Sequence, residues 1–265
     1  MIIELALGLA VGAVMALTGA GGGILAVPLL VFILKLNVVQ AAPVGLLAVG
    51  IAAALGAAHG LKEGIVRYRA ALLMGSVGML LAPVGIWLAR RVDNRWLSAV
   101  FAIVLLLVAY RALRDARNAP DESEQQRQAL CMRSSATGRF VWSASCARAL
   151  ALSGGLAGLL SGLLGVGGGF VIVPSLKRHS DLTMHSITST SLAVIALVSF
   201  SGIVSSVSSG NLNWSIALPF AAGALAGMLA GRMIASRLPG PQMQKGFGAV
   251  SALVAIGMVM KSLAG

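Results

Sequence analysis

Two glycine runs, Gly19-Ala20-Gly21-Gly22-Gly23 and Gly165-Val166-Gly167-Gly168-Gly169, hold the residues best placed to do chemistry. Each lies inside a long apolar stretch. Glycine weakens a helix by about 1 kcal/mol per residue relative to alanine, so a cluster of glycines breaks the helix there. A break at membrane depth leaves backbone N–H groups that need a partner. Where the chain restarts as a helix, at about Ile24 or Phe170, the unpaired amides and the positive end of the dipole point into the gap. Pro28 and Pro174 follow in Gly-x-Gly-Gly-Gly…Val-Pro, and are expected in or near the opening turn, where a missing N–H costs least. Two such ends facing each other make an anion site that needs no charged side chain. The residues assigned to it are Gly19, Gly21, Gly22, Gly23, Gly165, Gly167, Gly168 and Gly169. The same glycines also suit close helix packing.

Hydroxyls supply a second set of donors. The stretch Ser186–Ser209 holds Thr188, Ser189, Thr190, Ser191, Ser199, Ser201, Ser205 and Ser206. Thr190 and Ser191 are the candidates for contacting an oxyanion, although hydroxyls in helices also bond back to the preceding turn. Thr190-Ser191-Leu192-Ala-Val aligns with Gly45-Leu46-Leu47-Ala-Val, so the earlier stretch lacks these donors. No Asp or Glu falls in the middle of an apolar run, which argues against a cation pump. His59 and His185 sit at run ends and are the positions from which a proton carrier could act. Lys35, Arg91 and Arg237 border the runs, where cations reach for headgroups. The chain shows no HExxH, GxSxG, P-loop lysine or metal-spaced Cys/His set, so an enzyme, a metal and a cofactor are not expected. Cys131 and Cys146 lie in or beside a polar loop and read as inert thiols in a reducing compartment.

The elements that must position these groups are membrane spans. Mean hydropathy is +0.92. Only 11% of the 265 residues are charged, against about 25% in a soluble domain, so lipid must cover the surface. The net charge of +12 then reflects cytoplasmic loops and anionic headgroups rather than nucleic acid. Apolar runs fall at Ile2–Leu36, Ala41–Leu61, Ala70–Ala89, Trp96–Leu113, Ala147–Leu176, Ser186–Ser208, Trp214–Ala235 and Met243–Leu263. The first and fifth exceed one span and carry the glycine runs. The stretch Arg114–Arg148 is polar and reads as a linker. Trp87, Trp96, Trp142 and Trp214 lie near run ends, as interfacial anchors do. Gly223, Gly227 and Gly231 form a ladder for helix packing, within one chain or in a homodimer.

The chain repeats at an offset of 146, the difference between Gly165 and Gly19. Over Gly12–Pro28, 8 of 17 positions are identical to their counterparts, and Gly64/Gly210, Gly85/Gly231 and Phe101/Phe247 keep the register. If each glycine run is a hairpin that enters and leaves on one face, Lys35, Arg90, Arg91, Arg95 and Lys261 fall on one side and the other fifteen of the 20 Lys and Arg on the opposite side. That asymmetry satisfies the positive-inside rule, whereas single crossings give 11 against 9. The expected fold is therefore an all-α polytopic membrane protein with two inverted repeats, each a glycine-broken helical hairpin plus three transmembrane helices. The repeats are 1–113 and 147–265, and 114–146 is a cytoplasmic linker with both termini outside.

The patterns Leu17-Thr-Gly-Ala-Gly-Gly-Gly-Ile-Leu-Ala-Val-Pro28, Leu163-Leu-Gly-Val-Gly-Gly-Gly-Phe-Val-Ile-Val-Pro174 and Thr190-Ser191-Leu192 resemble the sulfite exporter TauE/SafE family of membrane transporters. The resemblance covers nearly all of the chain apart from the linker. It implies a bacterial inner-membrane permease for a small sulfur-containing anion such as sulfite or an organosulfonate. Family members often carry Thr-Ser where this chain has Gly45-Leu46. The expected partners are that anion and the bilayer, and the expected mechanism is alternating access. The competing expectations are a carrier or channel for another small organic anion, or a membrane scaffold that moves nothing.

Overall fold

The computed structural model describes residues 2–18, 22–117, 131, 143–210, 212–235 and 251–258. Its helices are α1 (Ile2–Thr18), α2 (Gly23–Ile33), α3 (Val38–Lys62), α4 (Tyr68–Arg91), α5 (Asn94–Arg117), α6 (Ala144–Leu164), α7 (Gly169–His179), α8 (Met184–Ser208) and α9 (Trp214–Ala235), with α10 at 251–258. Six of them, α3 to α6, α8 and α9, are long and apolar enough to cross a membrane. The protein is an all-α polytopic membrane protein. The two overlong apolar runs break at the glycine clusters, into α1 with α2 and α6 with α7. Gly19 and Gly21 lie outside the described residues, as do Arg237, Trp142 and most of the Arg114–Arg148 stretch.

Glycine lets the helices approach closely enough for backbone to touch backbone. A Cβ at Gly223 or Gly227 of α9 would stand 2.1 Å from the carbonyl oxygens of Leu5 and Leu9 on α1. On α6, one at Gly158 would stand 2.2 Å from the Gly78 oxygen of α4, and one at Gly162 2.0 Å from that of Ala82. In each pair numbering rises together, so α1 runs parallel to α9 and α4 parallel to α6. The Gly223–Gly227–Gly231 ladder is thus consumed inside the chain against α1, and offers no contact for a second copy.

The central pair behaves differently. Gly50, Gly56 and Gly60 of α3 face Ser199, Leu192 and Ser189 of α8 in turn. Numbering rises on one helix as it falls on the other, so α3 and α8 cross antiparallel. They are counterparts in the 146-residue register, and the remaining packing is reciprocal: α1 meets α9 as α6 meets α4, and α3 meets α9 as α8 meets α4. Gly64 and Gly210, also counterparts, both take a left-handed φ, 69° and 67°, in the turns after α3 and α8.

Two local expectations are corrected. Pro28 and Pro174 are the sixth residues of α2 and α7, past the opening turn. Each therefore removes an N–H that would have bonded to the carbonyl four residues earlier. Cys131 and Cys146 are not free thiols but a disulfide, with Cα atoms 5.2 Å apart. The Cys131 amide donates to the His179 carbonyl at 2.9 Å, which holds residue 131 at the end of α7 and beside the first turn of α6.

Candidate functional site

The two helix breaks meet. A Cβ at Gly23 would stand 2.7 Å from the Val166 carbonyl oxygen and 3.2 Å from the Val49 side chain, and one at Gly167 would stand 2.9 Å from both Val49 and Ile195. Gly45 faces the Gly165 carbonyl, at 2.9 Å from its Cβ position. The junction therefore lies beside the α3/α8 crossing, near the middle of both helices. Val27 and Ala26 of α2 pack on Gly45, so α2 returns antiparallel to α3, and by the same logic α7 returns antiparallel to α8. The N-termini of α2 and α7 both lie at the junction, and the two helices leave it in opposite directions.

The breaks are built differently. In the second, Gly165, Gly167 and Gly168 all have left-handed φ of 74–78°, a conformation that costs other residues roughly 1–2 kcal/mol each. Gly165 closes α6 by donating its N–H to Ser161 O at 2.8 Å. In the first, Gly22 is ordinary right-handed backbone with φ −59°. It is glycine because a Cβ would lie 2.3 Å from the Met15 nitrogen of α1. Leu25 and Val171 donate to the carbonyls of Gly22 and Gly168 at 3.1 and 3.0 Å, closing the first turns of α2 and α7. The amides ahead of them, on Gly23, Ile24, Gly169 and Phe170, have no intrahelical carbonyl within reach by helix geometry.

Hydroxyl placement separates the polar residues of α8. Thr190 is fully buried, and its Oγ1 accepts from the Arg67 amide at 3.1 Å in the turn between α3 and α4. Ser191 Oγ donates back to Thr188 O at 2.8 Å. Neither hydroxyl is directed at the glycine junction by these bonds. Ser199 is the hydroxyl the junction meets, 3.4 Å from the Gly167 Cβ position. It is fully buried and without a hydrogen-bond partner, as is Ser161 at the end of α6. Ser199 was one serine among many in the sequence. Only the antiparallel crossing singles it out.

A small cleft of about 20 Å³, room for about one water, lies toward the second break at one end of the bundle, between α3, α4, α6 and α8. Ala42 and Gly162 line it, and Ala42 is also the residue against Gly165. Its walls are apolar except for Ser206 and the exposed Arg90. Arg91, by contrast, stacks its guanidinium over Trp87 at 4.1 Å, as an interfacial anchor does.

Broken helices meeting inside a bundle of apolar spans are the architecture of a membrane transporter. The family model for the sulfite exporter TauE/SafE matches residues 4–258, and the chain belongs to that family. Two strains of Xylella fastidiosa, Temecula1 and 9a5c, each have a probable membrane transporter protein that is 30% identical over 274 residues, covering 100% of this chain and 97% of the relative. The probable membrane transporter protein YunE of Bacillus subtilis is 26% identical over 230 residues, covering 84% of each chain. No solved structure matches. The protein is a membrane transporter and not an enzyme.

Proposed function

We propose that the protein carries a small anion, with sulfite or an organosulfonate as the leading substrates, across a bacterial inner membrane by alternating access. The observation that carries this reading is the meeting of two helix N-termini at the Gly23/Val166 contact. Each end presents about half a positive elementary charge, so two together offer roughly the charge that balances a monoanion. The opening amides of Gly23, Ile24, Gly169 and Phe170, which helix geometry leaves without a partner inside α2 and α7, supply donors, with the remaining glycines of both runs letting the anion approach the backbone. The unpartnered Ser199 hydroxyl adds a donor from α8. In this reading, halves 1–113 and 147–265 are inverted repeats that rock about the α3/α8 crossing, joined by a cytoplasmic linker at 114–146 with the termini outside.

The apolar walls of the cleft favour a second reading within the same class. An anion with an apolar body, a sulfonate or a carboxylate, would lose less on entering than a bare oxyanion.

The test is flux into proteoliposomes together with thermal stabilisation of purified protein by sulfite, sulfoacetate, taurine, acetate and chloride. Gly23→Ala puts a methyl group into the junction, and Ser199→Ala removes the donor while keeping the volume. We expect Gly23→Ala to abolish flux of the stabilising anion, and Ser199→Ala to weaken its binding about tenfold. Unchanged flux in both variants would refute the site. A lack of stabilisation by any anion would favour a scaffold.

A further inference from the structure

We propose that the turn between α3 and α4 and the first turns of α8 form a gate, latched by the Ser186 and Thr190 hydroxyls, and that this structure is the state closed at that end. The inference rests on the alternating-access reading but uses residues outside the glycine junction.

Two hydrogen bonds cross the seam. Ser186 Oγ donates to the Ile65 carbonyl at 2.8 Å, and the Arg67 amide donates to Thr190 Oγ1 at 3.1 Å. Both hydroxyls are buried, so neither bond is diluted by water, and both bridge segments more than 120 residues apart. Beneath them the helices are shut tight. A methyl group on Gly60 would lie 2.8 Å from Ser189 Cβ, and one on Gly56 2.7 Å from Leu192 and Met228. His185 at the start of α8 lies 3.8 Å from the Glu63 carboxylate, on the outer rim of the same seam.

At the opposite end of the same two helices, no such pair of bonds stands over the small cleft lined by Ala42 and Gly162 among the described residues. The sequence explains the difference. In the 146-residue register that pairs α3 with α8, Ser186 falls on Gln40 and Thr190 on Val44. The start of α3 has no hydroxyl with which to tie down the turn that follows α8. One end of a nearly symmetric crossing locks through buried hydroxyls, and the counterpart positions at the other end carry none. A carrier so built rests with the latched end closed, and must break two buried hydrogen bonds to switch.

The test uses the purified full chain in detergent, in a Cys131→Ser/Cys146→Ser background, with one reporter cysteine at a time. Ser189→Cys probes the seam and Val39→Cys the mouth of the cleft. The readout is the rate of reaction with a bulky charged thiol reagent. With the latch intact, we expect the cleft reporter to react quickly and the seam reporter slowly. Ser186→Ala with Thr190→Val should raise the seam rate about tenfold or more, by loss of two hydrogen bonds, and lower the cleft rate. Thr190→Ser, which keeps the hydroxyl, should behave as the parent does. Unchanged rates, or a rise at both reporters as in general loosening, would overturn the gate. The assay needs no substrate. If the reciprocal shift appears but no anion is carried, the gate stands and the anion reading falls.

Discussion

The two ends of the α3/α8 crossing are made from counterpart segments, yet one is tied by two hydrogen bonds across its seam and the other carries a small cleft. Where α8 begins, buried hydroxyls bind the turn after α3. Where α3 begins, the counterparts are glutamine and valine, and a small cleft with Arg90 at its edge lies beside them. The backbone is nearly two-fold; the side chains are not. A strictly symmetric crossing would have equal reason to open or close at both ends. Divergence of a few residues biases it toward one.

The largest effect expected from attacking this comparison is at the break nearest the cleft. Gly168→Ala forces a side chain into a left-handed conformation and sets its Cβ 2.6 Å from the Ala157 carbonyl oxygen. Loss of transport and a stability loss above about 2 kcal/mol are expected from strain and clash together, measured by thermal unfolding in detergent. Next is Ala89→Phe, which fills the cleft while leaving the seam alone. Flux should fall at least about tenfold, with the Ser189→Cys reporter unmoved. If flux is undiminished, the cleft is not the route.

Arg90→Gln sharpens the electrostatic part. A single exposed cation at a mouth raises the local anion concentration, and salt screens it. A few-fold rise in apparent KM at low salt is expected, vanishing at high salt, with kcat unchanged. Glu63→Gln tests the rim. Its contacts with His59, at 2.7 Å, and His185 involve side chains roughly half exposed, so less than about 0.5 kcal/mol should be lost. A large effect would move the latch from the buried hydroxyls to the rim.

The disulfide supplies an independent check on sidedness. The proposed orientation, read from the Lys and Arg distribution, has the 114–146 stretch in the cytoplasm, where glutathione keeps thiols reduced. The bridge in the structure stands against that orientation, on which it should open in the cell and leave Cys131 and Cys146 to be alkylated in intact cells by a membrane-permeant reagent. A bridge that is already formed in the cell would put the linker on the outer face.

Much of the architecture was legible because membranes leave few choices. Low charge and high hydropathy demand spans, and glycine clusters inside overlong runs demand breaks. The 146-residue register together with the charge asymmetry led to opposed halves, and the parallel α1/α9 and α4/α6 pairs with the antiparallel α3/α8 crossing agree with that topology. Local detail was less legible. Pro28 and Pro174 lie deeper in their helices than the opening turn, because helix starts are set by where the glycine turn ends. The ladder on α9 could have served another chain, and nothing in its spacing names α1 as the partner.

The sequence alone determined that the chain is helical, that it crosses the membrane, and that two helices must break where the glycines cluster, since these follow from solvation and backbone freedom. Only the tertiary structure decided that the breaks meet, that Ser199 rather than Thr190 faces them, and that Thr190 instead holds a distant turn. The reason is geometric. Every hydroxyl along α8 has the same local chemistry, and its partner is fixed by the angle and register at which another helix happens to cross.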